Sequence, residues 1–115
     1  MLVHRAVPVL TVRDVAQAVA TCRDVLGMEV VMDHGWIATV GSVDGAQVSL
    51  MTEDASAPCP PDASLEVSDV QRAHDRAVAE GLEIVHPLTD EPWGVRRFFF
   101  RDQAGNVVNV LAHAS

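Results

Sequence analysis

The chain has 115 residues, of which 49% are hydrophobic and 21% charged, and eight Arg with no Lys against sixteen acids give a formal net charge of −8. This length fits one ordinary globular domain. The acidic balance disfavours nucleic acid and anionic lipid as partners and favours cationic small molecules. No apolar run reaches the roughly 20 residues that cross a bilayer, and the first ten residues lack a signal-peptide pattern. Because two cysteines make no disulfide framework, Cys22 and Cys59 are predicted to be free thiols in the cytoplasm.

The first predicted module covers residues 1–52. A strand rich in Val and Leu comes first, over residues 5–12. A helix is predicted next, because Asp14 can cap its start, apolar residues recur at three- and four-residue spacing, and Gly27 can end it. Three β-prone segments complete a β-α-β-β-β order, with the turn dipeptide Asp44-Gly45 before the last of them: residues 28–33, 36–40 and 47–51.

The second predicted module covers residues 62–115, after a linker over residues 53–61 that contains three prolines. A short strand ends at Val67, Asp69 can cap the following helix, and Gly81 can end it. A loop from His86 to Gly94 is predicted as an insertion that the first module lacks. The remaining strands repeat the order of the first module: residues 82–85, 95–101 and 106–111.

The two modules are an internal duplication. Val12-Arg13-Asp14 returns 55 residues later as Val67-Ser68-Asp69, and the Gly-x-Glu that follows the first helix returns after the second. The segment over residues 44–50 likewise matches residues 104–110. Modules of this size are too small to be independent, so they are predicted to share a core or to pair across a dimer.

This repeat resembles the vicinal oxygen chelate superfamily, which contains glyoxalases, extradiol dioxygenases, fosfomycin-type resistance enzymes and bleomycin-resistance proteins. The resemblance is carried by the two Val-x-Asp openings, by Val25-Leu26-Gly27-Met28 and by the segment over residues 92–106. It implies a single α+β domain over residues 1–115. In that fold, two tandem β-α-β-β-β modules form a curved, mostly antiparallel sheet, a half-open barrel with the helices outside. The resemblance also implies a homodimer.

The resemblance further implies four metal-ligand positions. Two lie five residues before the Val of each Val-x-Asp, at Val7 and Asp62, and two lie on the last strand of each module, at Ser49 and Asn109. This set has no imidazole and one carboxylate, so it should not hold Zn, Ni, Fe or Mn tightly. We therefore predict no metal and no cofactor, which places the chain in a metal-free branch similar to bleomycin-resistance proteins.

The five histidines are scattered along the chain without a His-x-x-x-His spacing. They are His4, His34, His74, His86 and His113. We interpret most of the five as solvated or capping residues.

Trp93 is the first candidate for contact with a ligand. An indole in a Pro-Trp-Gly loop can form a flat apolar wall with one N–H donor. Gly94 would permit close approach of the backbone. The alternative for Trp93 is a loop anchor, and Trp36 could line the ligand cavity or pack under a helix.

The resemblance adds further cavity residues. It directs Arg97 and Phe99 inward with Asn109 as a neighbour, and Ser49 takes the equivalent place in the first module. The alternative for Arg96 and Arg97 is that both neutralise nearby acids. If Arg97 and Phe99 face inward, Phe98 and Phe100 point to the other side of the strand, where they would pack against a helix as core residues.

Three functions stay open. The leading one is a small-molecule binding protein that sequesters an antibiotic or similar organic ligand, favoured as cationic by the acidic charge, and catalyses nothing. The second is a metal-independent lyase or isomerase in which Asp62 moves a proton. The third is a metal-dependent enzyme of the glyoxalase or dioxygenase type whose site lies elsewhere. The missing ligands favour a non-catalytic role.

Overall fold

The computed structural model describes residues 1–114 and divides into two compact units. One unit comprises residues 7–60 and the other residues 1–6 with 61–115. The predicted modules begin and end close to these bounds, except that the first six residues lie with the second module. The described residues form an α+β structure of two helices and eight strands: β1 (Val3–Thr11), α1 (Val15–Leu26), β2 (Glu29–Asp33), β3 (Ile37–Gly41), β4 (Gln47–Met51), β5 (Ala63–Val67), α2 (Val70–Ala79), β6 (Glu83–Asp90), β7 (Val95–Arg101) and β8 (Val107–His113).

Within the first module the strand order is β2-β3-β4-β1, with an antiparallel meander and a parallel pairing of β1 with β4. Helix α1 begins where predicted, because the Asp14 carboxylate accepts the N–H of Gln17 at 3.0 Å. It ends at Gly27, whose φ of 69° is left-handed and suits glycine. Apolar side chains of α1 pack on the sheet with Ala38, Val40 and Leu50.

The second module repeats this arrangement in the order β5-β8-β7-β6, again with two antiparallel pairings and one parallel pairing. Asp69 caps α2 by accepting the N–H of Arg72 at 3.0 Å. The helix covers a core that includes the fully buried Phe98, with Phe100 packed beside it, as predicted. The arrangement of the two modules as a half-open barrel stays a prediction.

The prediction that residues 86–94 form a loop is wrong, although the second module does have more residues between the paired positions His86 and Phe99 than the first has between Met32 and Thr39. Strand β6 continues through Asp90, and only a short turn remains before β7. Pro87 suggested a loop, but β6 is the last strand in the order of its module, where a residue without an N–H is tolerated, and Pro87 is exposed. His86 is therefore an internal strand residue, 7% exposed, and it is not among the solvated histidines.

In residues 1–114, neither helix has the length and apolar content that crossing a membrane requires.

Candidate ligand site

The candidate site lies on one face of the β7–β8 hairpin in the second module. Phe98 and Phe100 point to the face covered by α2, so the alternation of a strand places Arg97 and Phe99 on the opposite face. Asn109 of β8 is paired with Phe99 in the register of the two strands and shares that face. The structure thus brings together three of the residues that the resemblance directs into the cavity.

A buried cluster of charged and titratable side chains occupies this face. The Arg97 guanidinium donates to Glu91 Oε2 at 3.0 Å, and the other carboxylate oxygen, Oε1, lies 3.7 Å from His86 Nε2. Arg97 and Glu91 are 5% and 8% exposed. A charged pair is costly to bury unless its members compensate each other. The Glu91 carboxylate supplies that compensation for Arg97 and lies next to the His86 ring.

Two aromatic rings enclose the Arg97 guanidinium. Its central carbon lies 5.0 Å from the ring centroid of Trp93 and 5.0 Å from that of Phe99, both within the range of a cation–π contact. Phe99 is fully buried and also contacts the His86 ring, with centroids 5.2 Å apart. Trp93 is 46% exposed. The indole is therefore the solvent-facing surface of this stack.

The turn between β6 and β7 sets the positions of Glu91 and Trp93. Gly94 N–H donates to the Glu91 carbonyl at 3.1 Å, and Glu91 N–H donates to the Val95 carbonyl at 2.7 Å. This is a three-residue hairpin loop, in which Gly94 adopts a φ of 91° that favours glycine. Pro92 stands at the second position of the turn, which its fixed φ suits. Local turn chemistry therefore directs Glu91 inward.

Buried polar atoms on this face lack a hydrogen-bond partner within the described part of the chain. They include His86 Nε2, whose distance to Glu91 is too long for a hydrogen bond, and Asn109 Oδ1. The Asn109 amide nitrogen donates to Ser64 Oγ at 3.1 Å. Turning this amide over would only leave its nitrogen in place of its oxygen without a partner. Buried polar atoms without partners are uncommon in folded proteins, and a catalytic or binding role is one reason that such atoms persist.

The family of this chain follows from a match of its sequence to a family profile. The profile of the glyoxalase/bleomycin resistance protein/dioxygenase superfamily matches residues 2–110. The chain belongs to this superfamily. No curated protein sequence matches it.

Solved structures share the fold of this superfamily member. One is an NAD-dependent benzaldehyde dehydrogenase from Legionella pneumophila, with a TM-score of 0.80, 15% identity, and coverage of 95% of this chain and 99% of that one. A superfamily member from Vibrio splendidus 12B01 has a TM-score of 0.68 and 19% identity over 95% of this chain and 97% of that one. The Mn(II)-bound glyoxalase from Novosphingobium aromaticivorans has a TM-score of 0.71 and 16% identity over 99% of this chain, which spans 39% of the glyoxalase. At these identities the similarity shows the fold alone.

The four superfamily ligand positions do not fit a divalent metal in this chain. Val7 is buried and apolar, and the Ser49 hydroxyl is hydrogen-bonded to Thr39 at 2.8 Å. Asp62 accepts the N–H of Val107 at 2.8 Å, and Asn109 offers an amide. Transition metals are held by imidazole, thiolate and carboxylate groups, of which this set has only one. Across residues 1–114, no three His, Cys, Asp or Glu side chains gather in a way that would hold a metal ion.

Asp62 also lacks the setting that a proton-transfer role requires. It is exposed, and it contacts the main chain of Val107: the carboxylate accepts the N–H, and the Asp62 N–H donates to the carbonyl at 2.8 Å. These contacts fix the start of β8 beside the start of β5. Asp62 thus has a structural explanation, and the lyase or isomerase hypothesis has no geometric support at this residue.

Two of the predicted site residues do not belong to the second module. Ser49 and Trp36 belong to the first module, where Trp36 is half-buried in the turn before β3. Sequence reasoning missed Glu91 and His86. The available signal was Arg97: an arginine directed inward needs a buried acid, and Asp90 and Glu91 lie within a short turn of it.

Proposed function

We propose that this superfamily member is a metal-independent small-molecule binding protein whose ligand stacks on Trp93. The observation that carries the proposal is the half-exposed Trp93 ring over the Arg97 guanidinium, which is backed by Phe99 and held by Glu91. Such a stack offers a fixed flat surface, and aromatic surfaces supply much of the contact area in small-molecule sites.

The fixed position of the indole supports binding. Arg97 is already compensated by Glu91, so a ligand need not neutralise a buried charge when it arrives. Rigid contact groups lose little conformational entropy on binding. Gly94 completes the turn next to the ring without a side chain that would crowd the ligand. We propose Asn109, whose oxygen has no hydrogen-bond partner within residues 1–114, as a polar contact of the same site.

The charge of the chain supports a cationic ligand. The net charge of −8 raises the local concentration of cations near the surface. An indole face also attracts a cation, and such a contact contributes about 0.5–1 kcal/mol at an exposed site. A flat organic cation therefore suits both the electrostatics and the shape of Trp93.

The test uses ethidium as a flat aromatic cation and 8-anilinonaphthalene-1-sulfonate as a flat aromatic anion, each titrated by calorimetry and fluorescence. We expect saturable one-to-one binding of ethidium and weaker binding of the anion. Trp93→Ala should weaken ethidium binding about tenfold, since a stacked aromatic contact is worth about 0.5–1.5 kcal/mol. Trp36→Ala is the matched control, because Trp36 lies in the equivalent turn of the other module and should have no effect.

Native mass spectrometry and metal analysis of the protein purified from its source complete the test. A retained organic ligand without stoichiometric metal would support the proposal. A bound transition metal, or equal losses from Trp36→Ala and Trp93→Ala, would contradict it. The same native mass reports whether the predicted homodimer forms.

A further inference from the structure

A cavity lies beside α2, away from the Trp93 stack. Its volume is about 470 Å³, within the range of small-molecule sites. The apolar part of its lining comprises Ala73, Ala77, Leu82 and Phe100. Residues four apart share a helix face, so the two alanines leave a shallow groove along α2 next to the larger side chains.

Two arginines also line this groove. Arg72 and Arg76 stand one helical turn apart, as the alanines do. Among residues 1–114, no carboxylate lies within ion-pair distance of either side chain. Arg96, Arg97 and Arg101 each have an acidic partner. In a chain of net charge −8, this is a local excess of positive charge beside an apolar surface.

Glu80 is the acid in the lining, one turn beyond Arg76. It reduces the positive charge of the groove but leaves one net positive charge. Met1 closes another side of the groove, and its position is fixed by the next residue: Leu2 N–H donates to Ser68 Oγ, and Ser68 N–H donates to the Leu2 carbonyl, both at 2.9 Å.

We propose that this groove binds an amphipathic carboxylate, an unbranched alkanoate. Its hydrocarbon chain lies over Ala73, Ala77 and Phe100, where it removes apolar surface from water. Its carboxylate meets Arg72 and Arg76, whose guanidinium groups suit the geometry of a carboxylate. Charge complementarity selects this occupant over a cationic amphiphile, which the arginines would repel.

The test titrates dodecanoate, below its micelle concentration, into the isotope-labelled full chain and follows backbone amides by NMR. Dodecyltrimethylammonium, with the same chain length and the opposite charge, is the matched ligand. We expect saturable shifts concentrated at residues 72–82 with dodecanoate only. Arg72→Gln with Arg76→Gln should weaken binding about tenfold, since hydrogen bonds to charged groups contribute strongly. Glu80→Gln should tighten it. All three residues are exposed, so these variants should keep the fold.

Several results would overturn the proposal. They are an unchanged affinity in the double arginine variant, shifts at residues 72–82 that are as large with the cationic amphiphile as with dodecanoate, or dodecanoate shifts distributed away from α2. A change in the native oligomer mass of the double variant without any dodecanoate binding would instead identify the groove as a contact between copies of the chain. Trp93→Ala should leave dodecanoate binding unchanged, which separates this site from the proposed function.

Discussion

The two modules share a strand-pairing pattern that includes one bulge at an equivalent position. In the first module the β2–β3 register shifts between Val30 and Met32, and in the second the β6–β7 register shifts between Ile84 and His86. The second module has a further shift, between His86 and Thr89, that the first module lacks. The parallel pairings agree as well. Val9 pairs with Ser49 in the first module, and the equivalent residues Ser64 and Asn109 pair in the second. The duplication therefore has a direct structural counterpart within each unit.

Equivalent positions on the sheet face opposite each helix carry different chemistry. The pair Thr39 and Ser49 of the first module corresponds to Phe99 and Asn109 of the second. The first module has a neutral hydroxyl pair there, with its own hydrogen bond. The second has an aromatic ring beside buried charges and unsatisfied polar atoms that include His86 Nε2 and Asn109 Oδ1. Since the first module keeps the same strand pairing with the simpler set, the costly set of the second module points to function rather than to folding.

The largest expected effect comes from removing the charge of Glu91. Glu91→Gln leaves the buried Arg97 guanidinium without its compensating carboxylate, so we expect a loss of about 3–5 kcal/mol in the free energy of unfolding. Urea denaturation measures it. Asp90→Asn is the matched control, because Asp90 is the adjacent residue and its pair with Arg96 is exposed, so its loss should be about 0–1 kcal/mol. Equal losses in the free energy of unfolding from Glu91→Gln and Asp90→Asn would show that the buried pair is no more important for stability than the exposed one. The buried charges would then no longer distinguish the second module from the first.

A double variant separates stability from binding in the same cluster. Replacing a buried ion pair by apolar side chains of similar volume is often neutral or stabilising. We therefore expect Glu91→Leu with Arg97→Met to recover most of the stability that Glu91→Gln loses, while ethidium binding falls. A double variant as unstable as Glu91→Gln would show that the cluster is required for folding.

The next effect concerns the hydroxyl pair of the first module. Thr39→Val leaves the buried Ser49 hydroxyl without its partner, at a cost of about 1–3 kcal/mol. The double change Thr39→Val with Ser49→Ala removes both polar groups and should cost less than Thr39→Val alone. Urea midpoints of the three proteins measure this coupling. Ethidium binding should be the same in all of them, and a parallel loss of binding would place the site in both modules.

Much of this fold follows from local signals in the sequence. The helix starts at Asp14 and Asp69 and the turn at Asp44-Gly45 are confirmed, because caps and tight turns depend on neighbouring residues. The extension of β6 past Pro87 was not predictable in this way, because proline is tolerated there only through the position of the strand in its sheet.

The buried cluster depends on contacts that the sequence pattern does not fix. His86 and Glu91 meet across the end of β6, and Trp93 covers Arg97 only because a three-residue loop turns the chain back at Gly94. A loop of another length would separate these side chains. Strand alternation separates Arg96 from Arg97, and the resemblance selects Arg97 as the inward residue. Its acid partner could be narrowed to Asp90 or Glu91, but its contact with Trp93 and the position of His86 beside Glu91 were not predictable.

The smallest effect is expected at two turn carboxylates, one in each module. Hydrogen bonds from the Asn106 side chain and backbone lower the pKa of Asp102 below its ordinary value, and those from Ser42 and the Ala46 N–H do the same for the pKa of Asp44. A lowered pKa means that the folded state favours the ionised form. Each carboxylate therefore contributes stability above its ordinary pKa, and this contribution is lost as the pH falls through the lowered value.

Asp102→Asn and Asp44→Asn should each flatten the acid limb of the stability profile, measured as urea midpoints from neutral pH down to acid. Both groups are fully exposed, so solvent screens them and the change should be small. Asp44 and Asp102 occupy different positions in equivalent turns. Similar changes in the pH profiles of the two variants would therefore show that a carboxylate at either position stabilises the hairpin. If the Asp102→Asn profile runs parallel to that of the unmodified protein, the hydrogen bonds of this turn do not contribute to its acid stability.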